Sequence, residues 1–143
     1  MEWAALIAWI VTAGGGFVLL SIWLARGGMR QGREPGQRIR PLLILSHFLL
    51  AGTGLVIWIV YVFSDTESLA WVAFVLLLVV AALGFAMFAI WYQRRQRGAV
   101  GEAADPLRPA EQHFPVPIVG LHGLLAVTTL ALVFLTAIGV GGS

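Results

Sequence analysis

The hydrophobic residues of this chain run in four long blocks, about Trp3–Arg26, Pro41–Phe63, Leu69–Tyr92 and Pro117–Gly139, separated by short polar stretches. Each block holds roughly the 20 apolar residues that a helix needs to cross a bilayer core. The pattern predicts an all-α membrane protein: one domain over residues 1–143, built as a four-transmembrane-helix up-down bundle. Composition agrees, at 59% hydrophobic and 11% charged residues, where a soluble domain carries about 25% charged. The first block has no basic residue ahead of it and exceeds a secretory h-region, so it reads as an uncleaved helix.

Charge orients the blocks. All nine basic residues are arginine, and they fall in or beside the first connection (Arg26, Arg30, Arg33, Arg38, Arg40) or the third (Arg94, Arg95, Arg97, Arg108). The second connection, SDTES, is acidic. The positive-inside rule places loops 27–40 and 93–116 in the cytoplasm and both termini outside. A multi-pass protein of a bacterial cell membrane is expected, in contact with the lipid bilayer and with no nucleic acid. Trp3, Trp23, Trp71 and Trp91 fall at block ends, where interfacial belt residues sit.

The two halves resemble each other. With an offset of 68, the first block meets the third with nine identities in 24 positions, among them Trp3/Trp71, Gly16/Gly84, Phe17/Phe85, Trp23/Trp91 and Arg26/Arg94. With an offset of 75, HFLLAGTGL (47–55) meets HGLLAVTTL (122–130). An internal duplication follows: hairpin repeat A over 1–63 and hairpin repeat B over 69–139. Both hairpins have the same topology, so a pseudo-two-fold axis along the membrane normal is expected.

The duplication pairs His47 with His122, each roughly 8–10 Å above the cytoplasmic end of its helix at 1.5 Å per residue. In an up-down bundle their helices are diagonal partners, roughly 11–14 Å apart. Two inward imidazoles would not touch across that gap, but they would clasp one metal with a flat ligand around it. Ala51, Gly54 and Trp58 follow His47 on the next turns; Ala126, Thr129 and Val133 follow His122. Gly16 and Gly84, with Phe17 and Phe85 beside them, come from the other two helices, about one turn further from the cytoplasm than the histidines. Small residues would admit a macrocycle and aromatics would pack it. Arg38, Arg40 and His113 offer partners for acidic substituents at the cytoplasmic surface.

Plainer accounts stand beside these. Gly14–Gly15–Gly16 serves close helix packing, and Thr53 and Thr128 hydrogen-bond within their own helices or to a neighbour. His113, in QHFPVP, reads as a solvated loop residue, and 98–112 as a flexible connector. Ionisable residues inside a membrane are rare and tend to be functional, which favours a shared site for the histidine pair.

In its two H-x-L-L-A-x-T-x-L segments and its four blocks the chain resembles the small membrane b-type cytochromes, four-helix bundles with haem between histidines of opposing helices. The resemblance implies one bis-histidine haem b on His47 and His122, with electron transfer to a quinone or a membrane redox partner. Members that carry electrons across the bilayer have a second histidine pair near the opposite face. This chain has none there, which implies transfer confined to the inner leaflet. Another tetrapyrrole or metal, a metal or proton transport module, and a cofactor-free accessory subunit remain open. No cysteine is present, which excludes thiolate sites. No phosphate loop, nucleophile elbow or HExxH motif points to an enzyme with its own turnover.

Overall fold

The computed structural model describes residues 1–30, 39–98 and 109–140. Four helices occupy the four apolar blocks: α1 (Glu2–Ala25), α2 (Pro41–Ser64), α3 (Glu67–Gly98) and α4 (Val116–Ala137), with one 3-10 turn at Ala110–His113. Each long helix is long and apolar enough to cross a membrane. Their outward faces carry Phe63, Leu42, Leu124, Leu49 and Phe85, all more than 60% exposed. Such a jacket suits lipid and would aggregate in water.

Local chemistry sets the helix ends. Pro41 opens α2 at a first-turn position, where no intrahelical amide bond is lost. Asp65 closes α2 at φ 54°, with its N–H on the Tyr61 carbonyl at 2.8 Å. A short aspartate tolerates that left-handed geometry where a branched residue would not. Thr66 then leads directly into α3, so α2 and α3 pack antiparallel. Helix α3 extends beyond the predicted Tyr92 because Gln93–Arg97 are good helix formers, and its last-turn arginines suit the negative end of the helix dipole.

Around the bundle α1 packs on α2 and α4, and α3 packs on α2 and α4, while neither diagonal pair approaches along the backbone. The α2–α3 and α1–α4 interfaces are the extensive ones; the α1–α2 and α3–α4 seams are looser. The main core lies in the half away from the arginines. There Trp9 and Trp58 pack at 6.4 Å between centroids, amid Ala5, Ala73, Val133 and Ala137. Trp58 Nε1 donates to the Glu2 carbonyl at 3.3 Å. At the arginine-bearing end Trp23 and Trp91 are buried, at 1% and 4% exposure. These two depart from the predicted belt, whereas Trp3 (52%) and Trp71 (39%) keep the exposure of belt residues. Burial follows from local covers: the Gly28 backbone lies on the Trp23 indole, and Arg95 lies over Trp91.

Gly54 belongs to the Trp9–Trp58 core. A Cβ there would stand 3.0 Å from Trp9 Cζ2, while Gly52, two residues earlier, has nothing within 4 Å. Trp9 is itself buried and has little freedom to give way. Gly54→Val is therefore expected to lower stability by about 1–3 kcal/mol through overpacking, and Gly52→Val much less. Thermal unfolding of the two variants in one detergent checks the contrast.

Candidate functional site

Each histidine lies six residues beyond the first residue of its helix, His47 from Pro41 and His122 from Val116. At 1.5 Å per residue that places both about 9 Å in from the arginine-bearing end. The imidazoles turn into the bundle and face each other across the diagonal, ring centroids 6.4 Å apart and planes at 66°.

Both rings are held in the same way. His122 Nδ1 bonds the Thr12 carbonyl of α1 at 2.9 Å, and His47 Nδ1 bonds the Val80 carbonyl of α3 at 3.0 Å. A carbonyl only accepts, so each Nδ1 carries the proton and each Nε2 keeps its lone pair. Positions 12 and 80 are themselves matched by the 68-residue offset. Each histidine thus bonds the helix on its extensive interface: α2 with α3, and α4 with α1.

The repeated glycines make this possible. In a helix the carbonyl of residue i is overhung by residue i+4, which is Gly16 for Thr12 and Gly84 for Val80. A Cβ at Gly16 would come 3.1 Å from His122 Cε1, and one at Gly84 would come 3.2 Å from His47 Cε1. Without a side chain, the imidazole reaches the carbonyl edge-on. The glycine triplet divides its work, since Gly15 also lies against His122 and Gly14 meets nothing within 4 Å.

The remaining candidates take separate places. Ala51 and Ala126, one turn beyond the histidines, are partly buried, and Ala51 packs against the main core. Thr129 is fully buried; its hydroxyl lies 2.8 Å from the Leu125 carbonyl and 3.0 Å from Thr12 Oγ1. Thr12 therefore meets α4 twice, through its carbonyl at His122 and its hydroxyl at Thr129. Phe17 and Phe85 face outward, 56% and 63% exposed, and Phe17 packs edge-on against Phe48 at 5.3 Å. Arg40 is exposed at the start of α2, and Arg38 lies outside the described residues. Thr53 and Thr128 bond their own helices, at Leu49 and Leu124. His113 is partly buried with Nδ1 shielded and unpartnered, rather than solvated. Beside it, in the last residues of the expected connector, the buried Glu111 accepts the Ile39 N–H at 3.3 Å.

Packing around the histidines is unlike that at the two ends. Buried residues occur at Trp9 and Thr12 and again at Trp23, but none of residues 13–22, 41–53, 81–90 or 116–128 is fully buried. From Thr12 to Trp23 this level is about 16 Å deep. Full burial occurs toward both ends of the bundle, and every described residue at the histidine level stays partly accessible. Among the described residues no group of three or more histidine, cysteine or carboxylate side chains gathers there or elsewhere.

Comparison with known families, with characterised proteins and with solved structures found no match to this chain.

The carbonyl contacts fix a tautomer. In the metal-free protein, 15N NMR of histidine-labelled material is expected to show His47 and His122 each with a proton on Nδ1. Gly16→Leu should move the signal of His122 and Gly84→Leu that of His47. Protonation on Nε2 would contradict the geometry.

Proposed function

We propose that this protein is a multi-pass membrane protein made of two duplicated hairpins, which holds one b-type haem between His47 and His122 and passes electrons near the cytoplasmic leaflet. The observation that carries the proposal is the facing pair of imidazoles, each fixed through Nδ1 and 6.4 Å apart. A ring nitrogen lies ~1.1 Å from its centroid and binds a metal at about 2.0–2.1 Å, so two rings clasping one ion in line stand roughly 6.3 Å apart. Two imidazoles bonded directly at about 2.9 Å between nitrogens would stand ~5 Å apart. The 6.4 Å separation is compatible with the clasp, the rings meeting edge-on at 66°.

The donor set favours a macrocycle over a bare ion. Zinc takes four protein ligands, or three with water, and this level offers two histidines with no third ligand gathered beside them. A haem brings four nitrogens of its own. The shape of the bundle supports a flat guest. Helix α2 packs closely with α3 and α4 with α1, while the α1–α2 and α3–α4 seams between these pairs are looser. Gly15, Gly16 and Gly84 give the two imidazoles room against α1 and α3.

When bound, haem supplies one-electron iron chemistry. The chain's residues set the conditions. His47 and His122 would both be ligands to the iron, which would leave no open position for oxygen. The Thr12 and Val80 carbonyls orient the rings and raise their basicity. The exposed Arg40, with Arg38 two residues before it, offers cations to acidic substituents at the arginine-bearing end. The arginine distribution supports placing that end in the cytoplasm and both termini outside. With a single histidine pair, electron exchange stays within one leaflet, with a quinone or a membrane redox protein as the partner.

Protein expressed in detergent with haem supplied is expected to give a pyridine haemochrome of one haem b per chain, with a Soret shift and sharp α and β bands on reduction. His47→Ala and His122→Ala should each abolish the bis-histidine spectrum, and added imidazole should restore it in part. A well-folded colourless wild type would instead identify a cofactor-free subunit.

A further inference from the structure

The two hairpins differ most clearly just beyond their matched tryptophans. After Trp23 the helix stops. Gly27 takes φ 76°, the Gly28 N–H returns to the Trp23 carbonyl at 2.9 Å, and the Gly28 backbone lies so close to the indole that no side chain fits there. After Trp91, α3 continues to Gly98. Among the described residues no turn folds back over this second indole. Arg95 takes that position, its guanidinium carbon 5.6 Å from the ring centroid. Trp91 Nε1 is left buried without a hydrogen-bond partner. A shielded, unmade hydrogen bond is destabilising.

At this place the α3–α4 seam opens into a groove of about 400 Å³, lined by Trp91, Tyr92, Arg95 and Gln96 of α3 and by Val116 and Val119 of α4. The groove combines a cation, an amide and an indole N–H with aromatic and aliphatic walls. Among the described residues no carboxylate lines it. Glu111, in the 3-10 turn before α4, is engaged with the Ile39 N–H. At the end of α1 and just beyond it the positions matching Tyr92, Arg95 and Gln96 are Leu24, Gly27 and Gly28, which carry no such donors.

Depth narrows the ligand. From the partly exposed Trp71 to Trp91, α3 rises about 30 Å, the thickness of a hydrocarbon core. Arg95 and Gln96 lie one turn beyond, at the level of lipid phosphates. Cationic sites between helices at the cytoplasmic boundary suit anionic head groups.

We infer that this groove binds the phosphodiester head group of an anionic phospholipid. Arg95 swings from the indole to the phosphate and uncovers the Trp91 N–H, which donates to a phosphate oxygen beside the Gln96 amide. The acyl chains lie along Val116 and Val119 toward the bilayer. The site depends on membrane insertion and is independent of haem.

Native mass spectrometry of the purified full chain, with phosphatidylglycerol or phosphatidylcholine added, tests it. Wild type should retain phosphatidylglycerol selectively, whether or not the preparation is coloured. Arg95→Gln should cut that preference about fivefold. Trp91→Phe, which keeps a ring and removes the N–H, should weaken it as well, and Arg26→Gln at the matched end of the first hairpin should leave it intact. Equal retention of the two lipids by wild type, or full preference in both groove variants, overturns the assignment. So does a change in the haem spectrum of these variants with lipid preference unaltered, which would make the groove part of the haem site.

Discussion

An imidazole N–H that must find an acceptor inside an apolar bundle is the constraint on which this structure turns. Both rings are partly buried between helices. Each histidine therefore bonds a backbone carbonyl of the adjacent helix, at 2.9 Å for His122 and 3.0 Å for His47. That carbonyl already serves its own helix, so it must be reachable from the side. The need for an open edge explains glycine one turn further on, and the approach of the ring explains how closely the two helices lie. One hydrogen bond thereby fixes ring orientation, proton position and helix spacing together.

Polar and apolar packing divide the bundle into levels. Away from the arginines, Trp9 and Trp58 fill the interior, and the Thr12–Thr129 contact at 3.0 Å ties α1 to α4. Such interhelical bonds contribute about 0.6 kcal/mol each on average in a membrane, so the aromatic packing carries more of the stability. At the other end Trp23 and Trp91 close the bundle. The histidine level between them has neither bulky plug. The main core and the facing histidines thus lie at different heights on the same four helices.

Much of this was visible in the residue pattern. Four apolar blocks of spanning length became four helices with ends within about two residues, apart from the extension of α3, because block length and prolines set those limits directly. The equal depth of His47 and His122 was legible because it depends only on helical rise. The carbonyl partners were not, since every residue has a carbonyl and nothing marks Thr12 or Val80 by type. Gly16 and Gly84 were found by their repetition, but so were Phe17 and Phe85, which face outward. A duplicated sequence preserves inward and outward residues alike, and repetition alone does not tell them apart. Gly54, chosen for its place above His47, instead admits the Trp9 ring, a contact set by a helix far away in sequence.

The histidine bonds run between hairpins, never within one. His47 of the first reaches Val80 of the second, and His122 of the second reaches Thr12 of the first. A lone hairpin would therefore carry a histidine without its acceptor and an acceptor without its histidine, and two copies laid together would complete both. On the proposed duplication, the natural ancestor is a homodimer of half-length chains, and fusion through the short Asp65–Thr66 link added a tether rather than chemistry. Joined in one polypeptide, the halves became free to diverge, and the ends beyond Trp23 and Trp91 are where they did.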